Sequence, residues 1–162
     1  MVKDYYKKNQ SIESLVETIE TKFNDFGVNQ YDELITVLGL DSEERNNVKT
    51  ALLIVYGKKL GILSFDEVCE QLGVENNGNL SSFEKLKLIS KVANQGWYPN
   101  WDNRNETKYF PYFEYKEGVL SFYNVFCNST LMFVPSALLY QSSELAYFMG
   151  VYYFDLYEDY LK

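Results

Sequence analysis

The sequence predicts an α+β protein: N-terminal helical hairpins built from a duplicated unit, then a three-stranded antiparallel sheet covered by a long C-terminal helix. Three observations carry this. Residues 31–61 and 65–96 read as two copies of one unit, with Tyr31-Asp32-Glu33-Leu34 matching Phe65-Asp66-Glu67-Val68, Leu38-Gly39-Leu40 matching Leu72-Gly73-Val74, and Gly61 matching Gly96. Aromatic residues concentrate late: of two Trp, 15 Tyr and 11 Phe, twenty lie from Trp97 onward, in short alternating runs. Finally, Leu145, Phe148, Met149, Tyr152 and Leu156 recur at helical spacing near the C-terminus and mark one buried stripe.

The elements follow in order. Ser11 caps a first helix over 12–26, with Ile12, Leu15, Val16, Ile19 and Phe23 along one face and Gly27 stopping it. Each repeat opens with a short helix, on which Leu34, Ile35 and Leu38, or Val68, Cys69 and Leu72, share a side; Leu38 and Leu72 are both expected to be buried. The longer second helices run over 43–59 and 82–94, with Val48, Leu52, Val55 and Tyr56 facing inward in one and Leu86, Ile89, Val92 and Ala93 in the other. A two-copy repeat of about 34 residues has tetratricopeptide spacing. The Trp, Ala and Pro positions of that repeat are missing, so the reading stops at a duplicated hairpin.

After Gly96 the chain enters a loop, because Pro99 and a cluster of Asn and Asp forbid a regular element. Residues 109–116 alternate as a strand that Pro111 confines to an edge or a bulge. Lys116-Glu117-Gly118 reads as a hairpin turn, and 119–127 as the strongest strand. A third strand over 131–134 continues in extended form through 137–140, and Ser142 or Ser143 caps a last helix reaching Tyr160. The chain thus divides into a helical part, 1–96, and an aromatic part, 97–162, of a size that suits one unit with a real core.

Composition then excludes function classes. The net charge is −8 and is shared by both halves, so neither offers the basic field through which Lys and Arg hold duplex nucleic acid. Long-range attraction favours a basic partner instead, although a mildly acidic balance is also common in soluble proteins and can be merely solubilising. There is no histidine, which removes the commonest general base at neutral pH and the usual zinc ligand. Gly57-Lys58-Lys59-Leu60-Gly61 lacks the spacing and the Ser/Thr of a phosphate loop and reads as a helix end. Asp102-Asn103-Arg104-Asn105-Glu106 lacks the glycine and the distant bidentate Glu of a calcium loop. The acidic pairs Asp32/Glu33 and Asp66/Glu67 are first-turn helix acids placed by the macrodipole. No catalytic residue, metal or cofactor is expected. Two cysteines make no disulfide framework: Cys69 is expected to be a buried thiol and Cys127 a strand residue. The N-terminus lacks the apolar core of a signal peptide and no run approaches a membrane span, so a cytoplasmic, glycan-free protein is expected despite sequons at Asn105 and Asn128.

One segment stands out as a candidate site: Trp97, Tyr98, Trp101, Asp102, Glu106, Lys108 and Tyr109. Its aromatics could anchor a protein partner, since Trp and Tyr dominate interface hot spots, or stack unpaired bases. They could equally wedge between helices and sheet as an internal lock. Trp97, directly after Gly96, is expected to be buried, and Trp101, between Asn100 and Asp102, to be partly exposed.

The run from Phe65 to Leu161 resembles a group of small uncharacterised proteins of Bacteroidetes phages and prophages. The features that carry the resemblance are SFDEVCEQLGV, the Lys-rich helix leading into Ala93-Asn94-Gln95-Gly96-Trp97, then Pro99-Asn100-Trp101, Lys108-Tyr109 and Phe113. A final Ser143-Glu144-Leu145-Ala146 helix with Phe154 and Tyr157 completes it. Members often carry an Arg-Leu pair where this chain has Ala137-Leu138. The resemblance implies a phage-type context in the bacterial host cell and no assigned reaction. In that context the expectation is a non-enzymatic protein that occupies a host protein stoichiometrically, such as an inhibitor of a defence nuclease in the manner of anti-CRISPR proteins. The alternatives are a single-stranded nucleic-acid accessory or a self-associating structural component.

Overall fold

The computed structural model describes residues 10–22, 42–62, 64–130 and 135–162, and the fold mixes helices with a β-hairpin. The chain divides between Gly61 and Ile62 into two units. The second helical hairpin therefore belongs with the aromatic part of the chain, and not with the first hairpin.

In the first unit, α1 (Ile12–Lys22) packs on α2 (Ser42–Leu60). Ser11 caps α1 by accepting from the Ser14 N–H at 3.3 Å. Leu15, Val16 and Ile19 of α1 are buried, as are Val48, Ala51, Leu52 and Leu53 of α2. Lys58 closes on Glu20 at 2.7 Å, an exposed pair that adds little stability. Leu38, with the rest of the first repeat's short helix, Phe23 and Gly27, lies outside the described residues, so of that copy α2 alone is described.

The second copy forms its hairpin. Helix α3 (Phe65–Leu72) is capped by Ser64, whose hydroxyl accepts from the Glu67 N–H, and ends on Gly73 in the left-handed region at φ 63°. Helix α4 (Ser82–Ala93) starts with a reciprocal capping box between Ser81 and Glu84. The two helices pack together and bury Val68, Cys69, Leu86, Ile89 and Ala93. Leu72 is half-buried and not buried as expected, because it occupies the last turn of α3 beside the exposed loop that follows. Ser90 and Asn94, which the apolar pattern passed over, are buried on α4.

Strands β1 (Lys108–Lys116) and β2 (Val119–Asn128) form an antiparallel hairpin. Its turn, Glu117 at φ 51° and Gly118 at φ 83°, has both central residues in the left-handed region that matches the twist of the flanking strands. Pro111 stands opposite Val125, and one step on the register shifts so that Tyr123 is bulged out. The expected third strand is not found among the described residues: the sheet has two strands. Residues 131–134 lie outside them, and Ser136–Leu138 forms a 3₁₀ turn in place of an extended run. Among the described residues after β2, only Tyr140 returns to the sheet, in a single bridge to Tyr109.

The expected long C-terminal helix is two helices, α5 (Ser143–Tyr152) and α6 (Phe154–Leu161). The break is at Tyr153 (φ −104°, ψ 28°), whose N–H still bonds the Met149 carbonyl. Leu145, Phe148 and Met149 are buried as the periodicity predicts, but beyond the break the buried position moves from Leu156 to Tyr157. A continuous helix would carry Leu156 to the core; the break carries a tyrosine there, where its ring meets Phe113 at 4.9 Å and its hydroxyl lies 2.7 Å from that of Tyr140.

Helix α5 lies against the hairpin at Gly150, where a β-carbon would fall 2.6 Å from both Pro111 Cβ and Phe122 Cε2. Gly150→Ala should therefore overpack this contact and cost about 1–3 kcal/mol, outweighing the gain in helix propensity of about 1 kcal/mol. Urea denaturation measures it; a midpoint at or above wild type would show that the contact yields.

Candidate functional site

Two features of the second unit are candidates: the loop from Trp97 to Tyr109, and the face of the hairpin turned away from the helices. Gln95 (φ 50°) and Gly96 (φ 84°) turn the chain out of α4, and the Trp97 N–H caps the Asn94 carbonyl at 2.9 Å. Two Asn side chains then hold successive tight turns, Asn100 accepting from the Asp102 N–H and Asn103 from the Asn105 N–H.

The loop closes around its own lysine. Lys108 is only 1% exposed, and its ammonium lies 3.1 Å from Glu106 Oε1. It also donates to the Glu106 carbonyl at 2.9 Å and the Asn103 carbonyl at 3.4 Å, while the Trp101 ring roofs it with its centroid at 5.2 Å. A buried ammonium is tolerated when a carboxylate, carbonyls and an aromatic face together replace its water. Glu106 Oε1 accepts in turn from the Asn100 N–H at 2.7 Å. That bond, with Lys108 and the Trp97 side chain, holds the carboxyl below its usual range.

The seven residues singled out by sequence thus separate. Trp97, Trp101, Glu106 and Lys108 come together inside the loop, and Lys108 is not available to a partner. Tyr109 is half-buried and exchanges both backbone hydrogen bonds with Tyr140. Asp102 is exposed, and so is Tyr98, at 69%. Trp101 is partly exposed as expected, although its ring covers Lys108, whereas Trp97, expected to be buried, is half-buried as well because its side chain turns toward Glu106.

The second feature was not singled out by sequence. One side of the hairpin packs on the last two helices, with Phe113 against Phe154 and Tyr157, and Phe122 against Tyr147. On the other, Tyr112, Tyr123 and Phe126 form a cluster of rings with centroids 4.7–6.4 Å apart. They are 47%, 55% and 44% exposed, and Tyr115 and Val119 beside the turn are exposed as well. The signal was present in the strand sequence: aromatics occupy both alternating phases of 109–115, so they cannot all face the helices; Phe110 is nevertheless buried in the phase that leaves Tyr112 exposed.

Among the described residues no group of three Cys, Asp or Glu side chains could hold a metal ion, and no helix is long and apolar enough to cross a membrane. Cys69 is a buried thiol, and Cys127 is exposed on β2. Comparison with protein-family models, curated proteins and solved structures returns no match.

The Glu106–Lys108 pair has a pH signature. Because the folded Glu106 carboxyl is held below its ordinary value of 4.5, its contribution to stability is full above that value and is lost as pH falls through the folded one. Wild type should be more stable than Glu106→Gln at neutral pH, and the gap should narrow as pH is lowered from about 5 toward 3. Urea titrations across that range check it, and a pH-independent gap would contradict the charge pairing.

Proposed function

We propose that the protein is a non-enzymatic binding protein of phage or prophage type that acts by attaching stoichiometrically to a host protein, with a defence nuclease as the fitting target. The observation that carries the reading is the exposed aromatic cluster of Tyr112, Tyr123 and Phe126. Clustered exposed aromatics of this kind mark interaction surfaces, and tyrosine is enriched among the residues that contribute most binding energy. The net charge of −8 favours approach to a basic surface, such as the groove of a nucleic-acid-binding enzyme. The absence of histidine from the chain supports a role without acid–base chemistry. The Trp97–Tyr109 loop serves this reading through Tyr98 and Asp102, its exposed members, while its other residues hold the loop's shape.

The test is reconstitution with a purified host protein captured on the wild-type chain. A complex of fixed stoichiometry should form, and Tyr112→Ser/Tyr123→Ser/Phe126→Ser should weaken it by about 2 kcal/mol or more, roughly thirtyfold. Light scattering and titration calorimetry measure both. Unchanged affinity in a folded triple variant would overturn the assignment of the surface. Binding to single-stranded DNA or RNA without any protein complex, or a mass that rises with concentration in the isolated chain, would favour the accessory or self-associating roles.

A further inference from the structure

Beside the Trp97 loop, one face of α4 and the 3₁₀ turn enclose a cleft of about 320 Å³, within the range of small-ligand pockets. Its walls are mainly apolar, formed by Trp97, Tyr98, Pro99 and Ala137, and no acidic residue lines it although the chain carries a net charge of −8. Lys87 and Lys91, one turn apart on α4, are among its lining residues. Among the described residues Lys91 has no ion pair, while Lys87 lies over the Phe83 ring at 5.6 Å and helps to lower the nearby Glu84 carboxyl without forming a close ion pair. A lysine in the last turn of a helix also complements the macrodipole, but here the terminal carbonyls are already capped. Ser90 O accepts from the Asn94 N–H, Val92 O from Gln95, and Asn94 O from Trp97.

We propose that this cleft binds a single nucleotide, its base against Trp97 and Tyr98 and its phosphate on Lys87 and Lys91. Tyr98 lines the cleft and is exposed, as a base-stacking platform requires. Lys87 and Lys91, both among the lining residues, are long enough to bring complementary charge to a phosphate, and the apolar walls accept a flat ring. The remainder of the chain, being acidic, repels a long polyanion, so the site takes one nucleotide and not a tract of backbone. The same chemistry comes from two sources, a free mononucleotide or the terminal nucleotide of a short single strand.

Titration calorimetry and tryptophan fluorescence of the full chain test this with AMP, UMP, adenosine, inorganic phosphate and a tetranucleotide. At least one mononucleotide should bind saturably, and adenosine should bind about tenfold or more weakly than AMP where AMP binds. Lys87→Ala/Lys91→Ala and Tyr98→Ala should each weaken the mononucleotide about tenfold. Lys85→Ala, outside the cleft, should not, and thermal melts should show all variants folded. A tetranucleotide that binds more tightly than the mononucleotide, with the same lysine dependence, identifies a strand end as the source; equal or weaker binding identifies the free nucleotide. No saturable binding of AMP or UMP at millimolar concentration, or full affinity in the double lysine variant, would overturn the proposal. Tyr98 is shared with the proposed partner surface, so the double lysine variant separates the two readings: it should lose the nucleotide and leave partner binding by Tyr112, Tyr123 and Phe126 unchanged.

Discussion

The second unit depends on how Tyr140 is buried. Its side chain has no exposed surface, yet its hydroxyl lies 2.7 Å from both the Ser90 and the Tyr157 hydroxyls. Its N–H and C=O both pair with Tyr109, at 2.8 and 3.0 Å. One residue therefore ties α4, α6 and β1 together through polar contacts in a region from which water is excluded. A buried hydroxyl without a partner is costly, so a satisfied chain of this kind selects one arrangement of the elements over others with equal apolar burial. Burial raises the Tyr140 phenol to about 12, so it remains a neutral donor at any physiological pH. Asn94, one turn beyond Ser90 on the same face of α4, adds to the hold by donating to the Leu139 carbonyl and accepting from the Gln141 N–H.

From that anchor the two surface features follow. Pinning Tyr109 fixes the start of β1, and the residue before it, Lys108, is carried inside, where the loop must supply Glu106, two carbonyls and the Trp101 ring to keep its charge solvated. Pinning Tyr157 turns α6 so that it meets Phe113 and leaves the Tyr112 side of the hairpin uncovered. The aromatic richness of this half of the chain thus serves two purposes. One set of rings builds the core and the loop, and a smaller set faces outward, where it is available to a partner.

Much of the architecture was legible because it is written in local chemistry. Ser11 and Ser142 cap helices, Gly73 and Gly96 end or leave them, and Glu117-Gly118 makes the hairpin turn; each needs only its neighbours, as do the caps Ser64 and Ser81, which the sequence reading did not name. The failures share a different cause. No proline or glycine stands at Tyr153 itself, Gly150 one turn earlier lies within regular helix, and the gain from the break lies in the distant contacts of Tyr157 with Tyr140 and Phe113. The 137–140 run has strand propensity, but Tyr140 alone pairs, and Ser136–Leu138 coils so that Leu138 and Leu139 are buried. Lys108 at the head of a strand reads as a solvated charge. Its burial depends on a carboxylate two residues earlier and an indole seven residues earlier, which the loop brings together only once folded. For the same reason the site was half legible: sequence found the loop, but whether its aromatics face outward is decided by tertiary packing.

The most direct test of the central claim is a double-mutant cycle on Tyr140→Phe and Ser90→Ala, read by urea unfolding. Tyr140→Phe should destabilise the protein by about 1–3 kcal/mol, because it strands the buried Ser90 and Tyr157 hydroxyls, and Ser90→Ala should cost less, because the Tyr140 hydroxyl keeps Tyr157. The second change should cost much less once the first has been made, leaving a coupling energy of at least about 0.5 kcal/mol. If Tyr140→Phe is neutral, or the two effects simply add, the buried hydroxyl chain is not what selects this arrangement of α4, α6 and the hairpin.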